Sequence, residues 1–202
     1  MAAVAKEELT GEGWWASEAR SGPVSLSADL SARYVRSRVQ IPPMDPVARL
    51  ASNMPELIPI ASDHAGFEMK EQLEARLRER GFEVRDLGAD SAASTDYADY
   101  AHPLATMVSR GDARRGVLLC GTGLGMAYVA NRYPHVRAAV VWSPEIAELA
   151  RKHNDANVLV LPARFISPED ADRILDVWLG TEFEGGRHER RVEKIEREES
   201  RE

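Results

Sequence analysis

Residues 57–88 read LIPIASDHAGFEMKEQLEARLRERGFEVRDLG, and the order of patterns in that stretch decides the fold. LIPIA at 57–61 is a short apolar run of strand length. GFEMKEQLEARLRERG then carries Phe67, Leu73 and Leu77 along one helical face and fills the other with Glu, Lys and Arg, and Gly81 supplies the stop. FEVRDLG follows as a second strand, so the segment is a strand, a helix and a strand, the βαβ unit of a parallel sheet.

The alternation continues downstream. A helix is expected near 97–110, a strand at 116–120 (GVLLC), a helix near 124–132, a strand at 136–142 (VRAAVVW) and a helix at 144–153. A strand at 157–161 (NVLVL) and a helix at 168–180 complete the series. Strands rich in Val, Leu and Ile without strict alternation are buried on both faces, which implies about five parallel strands between two layers of helices. Right-handed crossovers wind such a sheet both ways. The closing stretch 185–202, GGRHERRVEKIEREESRE, reads as a charged helical arm that reaches away from the body, of the kind that packs on another subunit.

Residues 1–55 share none of this periodicity. They mix small and polar residues with Trp14, Trp15, Pro42, Pro43 and Pro46, and form a poorly ordered N-terminal extension, with 28–39 a short amphipathic helix at most. The remainder, 56–202, is one domain of ordinary size. The extension balances six basic against six acidic residues, so the whole net charge of −7 falls on the domain. An acidic domain lacks the excess positive charge that binding a nucleic-acid backbone draws on. No apolar run approaches the roughly 20 residues that cross a bilayer, and the N-terminus has no secretory pattern, so the expected location is the cytoplasm. Cys120 is the one cysteine, which leaves a reduced thiol and rules out an internal disulfide.

In an open parallel sheet ligands bind beyond the C-terminal strand ends. Ser62, Asp63 and His64 follow the first strand, Cys120 and the loop Gly121-Thr122-Gly123-Leu124-Gly125 follow the third, and His153, Asn154 and Asp155 end a helix; all three groups are expected to converge on one rim. The glycine loop offers unobstructed N–H groups at a helix N-terminus, where an anion is stabilised. The same dipoles favour the thiolate of Cys120, a base or nucleophile, although a lone cysteine ending a strand is also a common small core residue. Asp63 and His64 suit proton transfer and anion binding; the plainer reading makes Asp63 a helix cap, and it is the better one for that pair alone. His153 suits a helix C-terminus whatever else it does. Arg187 and Arg191, four apart, could grip a phosphate from one helical face or belong to a solvated charged helix. The loop departs from the dinucleotide pattern G-x-G-x-x-G, since its third glycine comes one residue early.

Taken together, SDHAGFEMK, TDYADYAHP, LLCGTGLGM, ARKHNDANVLVL and WLGTEFEGGRHERRVEKI resemble the type B ribose-5-phosphate isomerase family, which also holds galactose-6-phosphate and allose-6-phosphate isomerases. The resemblance spans about 57–197. It implies a three-layer, Rossmann-like α/β sandwich with a five-stranded parallel sheet and a C-terminal helical arm. It also implies a homodimer or homotetramer with shared active sites, a phosphosugar substrate, no nucleic acid, no membrane, and no metal or organic cofactor. Cys120 would move a proton between C2 and C1 of the open-chain sugar through a cis-enediol, where some relatives use a glutamate. Gly121, Thr122, Gly123, Leu124 and Gly125 would hold the enediolate oxygen. Asp63 and His153 would open the ring, Tyr97 and Asn154 would contact hydroxyls, and His64, Arg187 and Arg191 would take the phosphate, with Arg164 and His188 as lesser candidates. Ala61 stands where many relatives carry glycine. Ribose 5-phosphate and ribulose 5-phosphate are the expected pair; another phosphosugar such as allose 6-phosphate, galactose 6-phosphate or a tetrulose 4-phosphate, or a non-catalytic sugar-phosphate binder, are the alternatives.

Overall fold

A computed structural model describes residues 55–196. The expected N-terminal extension, and the amphipathic helix within it, lie outside the described residues except for residue 55. The chain alternates β1 (Leu57–Ser62), α1 (Phe67–Glu79), β2 (Glu83–Asp86), α2 (Tyr97–Arg110), β3 (Gly116–Cys120), α3 (Leu124–Ala130), β4 (Ala138–Val140), α4 (Pro144–Asn154), β5 (Val158–Pro162) and α5 (Pro168–Gly180). A 3₁₀ turn, Gly186–His188, and a short helix α6, Glu189–Glu193, follow.

All strand pairs are parallel, in the order β2-β1-β3-β5-β4. Successive residues serve opposite layers. Ile58, Ile60, Val117, Leu119, Leu159 and Leu161 pack beneath α1, α4 and α5, while Ala61, Leu118, Cys120, Val158 and Val160 pack beneath α2 and α3. That double burial is why the strands read as unbroken apolar runs, each large side chain contributing about 1.5–3 kcal/mol against the entropy of ordering the chain. Serine caps start the last two long helices: Ser143 Oγ accepts from Ile146 N–H at 3.4 Å and Ser167 Oγ from Asp170 N–H at 3.0 Å, each with a proline in the first turn.

β4 is shorter than the expected 136–142. Among the described residues it is an edge strand paired only with β5, and a side chain takes up its outer side at Ala138. The Asn131 amide accepts from Ala138 N–H (2.8 Å) and donates to Ala138 C=O (2.9 Å), standing in for a neighbouring strand at one residue only. The C-terminal arm is present, but its described part does not reach away as one continuous helix. Glu184 N–H donates to Lys152 C=O (3.1 Å), His188 is buried, and Glu196 Oε1 accepts from His135 N–H (3.0 Å), so the arm runs back along the domain.

From β1 the chain steps outward to β2, then returns to the other side of β1 as β3. The strand order reverses there, and the crevice beyond the C-terminal ends of β1 and β3 is where this architecture binds ligands.

Candidate active site

Three segments meet at that crevice. After β1, Asp63 is buried, and its N–H donates to Leu119 C=O (3.2 Å), tying the loop to the end of β3. Its Oδ1 accepts from the N–H groups of Ala65 (2.9 Å) and Gly66 (3.3 Å), closing the turn ahead of α1; both donors precede the helix, whose N-cap is Gly66, so the carboxylate is not the helix cap that the plainer reading of the sequence expects. His64 is fixed by Thr95, the first residue of the TDYADYAHP stretch. Thr95 N–H lies 3.2 Å from His64 Nδ1, and Thr95 Oγ1 accepts from His64 N–H at 3.3 Å. Nδ1 also lies 3.3 Å from Thr95 C=O, so the Thr95 backbone holds this side of the ring in either tautomer.

After β3, Cys120 is buried and its Sγ accepts from Gly123 N–H at 3.1 Å. An N–H aimed at sulfur stabilises negative charge on it. Gly123 makes this turn with φ +77, a conformation that side-chain-bearing residues rarely adopt, and a Cβ there would sit 3.0 Å from Val140 Cγ1. Thr122 Oγ1 accepts from Leu124 N–H at 3.4 Å, closing the turn into α3. Tyr97, the first residue of α2, lays its ring across Gly125, where a Cβ would come within 2.8 Å of it. The Arg164 side chain lies over Gly121, one residue from the thiol, and the Arg164 backbone N–H donates to Gly121 C=O at 3.1 Å. Asp63, His64, Tyr97, Cys120 and the loop 121–125 are therefore brought together, with Arg164 beside them.

His153, Asn154, Arg187 and Arg191 are not. The expectation that the three groups converge on one rim is corrected by the connectivity. α4 runs against the strands, so its last turn ends where β5 begins, and Val158 is level with Gly116 while Cys120 is level with Pro162. Four strand residues, about 13 Å, separate the two levels. On this lower rim the His153 and His188 rings stack with centroids 4.2 Å apart and an interplanar angle of 3°. Arg187 Nε donates to His188 Nε2 at 3.2 Å. Arg187 sits in the 3₁₀ turn and Arg191 on α6, both exposed, so no single regular helix carries the pair. The exposed Asn154 has its C=O tied to Arg137 Nε at 3.1 Å.

Two clusters among the described residues bring three metal-capable side chains within 4.8 Å of one another: His153, Glu184 and His188, and Glu71, Glu74 and Asp86. The second holds the Lys70 ammonium, which pairs with Glu71 at 2.9 Å and with Asp86. Burial opposes that charge, but the two carboxylates outweigh it and hold the amine above its ordinary value. The first cluster has the Arg187 guanidinium against a ring nitrogen.

Residues 58–195 match the family model described as Ribose/Galactose Isomerase. The chain belongs to that family. Ribose-5-phosphate isomerase B of Escherichia coli is 46% identical over 138 residues, covering 68% of this chain and 93% of the relative. A ribose 5-phosphate isomerase from Thermotoga maritima superposes with a TM-score of 0.68 at 52% identity, covering 70% of this chain and 97% of that one. Ribose-5-phosphate isomerase B from Mycoplasma genitalium, solved with bound ribulose-5-phosphate, gives a TM-score of 0.68 at 42% identity, with 70% and 95% covered. The ribose/galactose isomerase match takes in both rims and the arm to residue 195, and leaves the N-terminal segment before residue 58 outside it.

Proposed function

We propose that this sugar-phosphate isomerase interconverts ribose 5-phosphate and ribulose 5-phosphate in the cytoplasm, in active sites that each combine the upper rim of one copy with the lower rim of another. The observation that carries the reading is the separation just described. The thiol with its N–H donor stands at one end of the sheet, and the imidazole and guanidinium groups the chemistry also needs stand at the other. A homodimer or homotetramer in which the arm and α4 of one copy face the glycine loop of the next supplies both halves.

In that site Asp63 and the partner copy's equivalent of His153 exchange a proton across the ring oxygen and the C1 hydroxyl, opening the furanose. Cys120 as thiolate takes the proton from C2. The C2–H electrons form the C1=C2 bond, and the C1 carbonyl oxygen takes up negative charge facing the loop 121–125, whose N–H groups offset it as an oxyanion hole. Protonation there gives the cis-enediol. Loss of the C2 hydroxyl proton forms the C2 ketone while the Cys120 thiol returns its proton to C1. His64 Nε2–H, with Arg187 and Arg191 of the partner copy and Arg164 over the loop, offsets the phosphate charge; Tyr97 and Asn154 contact hydroxyls. The proton steps need neither a metal nor an organic cofactor.

The test is turnover of ribose 5-phosphate, allose 6-phosphate, galactose 6-phosphate and erythrulose 4-phosphate by wild type and by Cys120→Ala. Turnover of ribose 5-phosphate that the variant loses supports the reading. Turnover of a different sugar alone moves the substrate, and no turnover of any leaves a sugar-phosphate binder.

A further inference from the structure

We infer that His188 is a positioning residue of the isomerase site: its ring face orients the His153 imidazole while its Nε2 orients the Arg187 guanidinium, so one buried side chain sets both the acid–base group and a phosphate-binding group. This rests on the reading above.

His188 is 3% exposed in a turn closed by its own N–H on Gly185 C=O (3.0 Å). The segment is tied to α4 twice, by Glu184 N–H to Lys152 C=O (3.1 Å) and by Arg151 Nε to Thr181 C=O (3.3 Å). A residue needed only for filling would be apolar there, because an imidazole taken out of water costs free energy unless its nitrogens find partners. Both faces of the arrangement are used. The near-parallel stack at 4.2 Å restricts how the His153 ring can turn. On the Arg187 side, an inward Nε–H donated to Nε2 at 3.2 Å leaves the two terminal amino groups to form a fork toward an anion.

The charge state supports the same assignment. Burial, then His153, Arg187 and Arg191, push the His188 imidazole below its ordinary value of 6.5, with only Glu184 acting the other way. A neutral His188 puts no second charge against the His153 ring and keeps Nε2 an acceptor for Arg187. A metal spanning His153, Glu184 and His188 fits less well, since Arg187 already occupies one ring nitrogen and parallel rings aim their lone pairs side by side instead of at a common point.

Two substitutions separate the functions. His188→Gln retains an acceptor near Nε2 and loses the stack, so kcat falls roughly tenfold with KM within about twofold of wild type. His188→Phe retains the stack and loses the acceptor, so KM rises roughly tenfold with kcat within about twofold. As the pH falls below 6.5 toward the depressed value, wild-type His188 takes a proton that ejects Arg187 and crowds His153, so phosphate-sugar affinity drops on the acid side; His188→Phe lacks that component. If either ring substitution fails to fold by circular dichroism, Arg187→Lys tests the acceptor half from the exposed side: it retains charge, lacks Nε–H, and raises KM by about the same factor.

A change of kcat and KM in parallel in both ring variants, or in neither, overturns the inference. Nuclear magnetic resonance titration of His153 in the full chain separates this from the isomerase reading, because it needs no turnover. A His153 titration displaced in His188→Gln and retained in His188→Phe supports the positioning role even where wild type turns over no sugar. An active wild type whose His153 titration ignores both substitutions sinks this inference and leaves the isomerase standing.

Discussion

The two ends of the sheet are built from different materials. The upper rim consists of strand termini and the turns leaving them, locked by backbone hydrogen bonds: Asp63 N–H on Leu119, Ala163 N–H on Cys120, Gly123 N–H on the sulfur. The lower rim consists of a helix end and an arm joined to it by Glu184 N–H on Lys152 C=O, where aromatic stacking and side-chain contacts set the placing of the rings and the guanidinium. In the proposed reaction the group that meets a C–H bond stands on the first kind of support, and those that shuttle protons and hold a phosphate stand on the second. The fold that makes both also holds them about 13 Å apart in one copy.

That division can be broken experimentally, starting where the loss is largest. Cys120→Ala removes the proposed base, and kcat for ribose 5-phosphate should fall about 10³- to 10⁴-fold with binding retained, measured by steady-state turnover and calorimetry. Gly123→Ala forces a left-handed backbone on alanine and presses a methyl on Val140, so the sulfur loses its donor and kcat should drop about a hundredfold; wild-type turnover there would detach the loop from the chemistry. Arg191→Ala should raise KM by roughly tenfold and spare kcat, and an unchanged KM would return that arginine to solvent. Mixing Cys120→Ala with His153→Asn, each inactive alone, should restore about a quarter of the wild-type sites if sites are shared between copies, and none if each chain carries its own. Smallest of all, deleting residues 1–50 should leave turnover within about twofold, because the family match begins at residue 58; an inactive product would give the extension a part in the enzyme.

Most of the sheet was legible because burial on both faces leaves a plain signature: β1, β3 and β5 fall where LIPIA, GVLLC and NVLVL place them. β4 was overextended because VRAAVVW has the composition of a strand while its pairing depends on lying at an edge and on Asn131, which no periodicity reports. Asp63 and the glycine loop were legible from position, since residues that follow parallel strands share a rim. His153 was placed on the wrong rim by treating the end of a helix like the end of a strand, although helix and strand run in opposite directions in every crossover. The Thr95 contact with His64 joins residues 31 apart, so the sequence shows Thr95 only as the start of TDYADYAHP, and it shows His188 as a lesser phosphate candidate without its contact to His153. Long-range contacts of that kind become visible only when the chain is folded.

Asn131 also bears on how copies of this chain can meet. Parallel sheets grow by accepting another strand along a bare edge, and partly folded chains in a crowded cell aggregate by the same route. At Ala138 both outward-facing backbone groups of β4 are already taken by one side-chain amide, so an incoming strand finds no donor and no acceptor there. Replacing that amide with leucine would free both groups at that one point of the margin, and the cost would appear in yield and solubility before it appeared in catalysis.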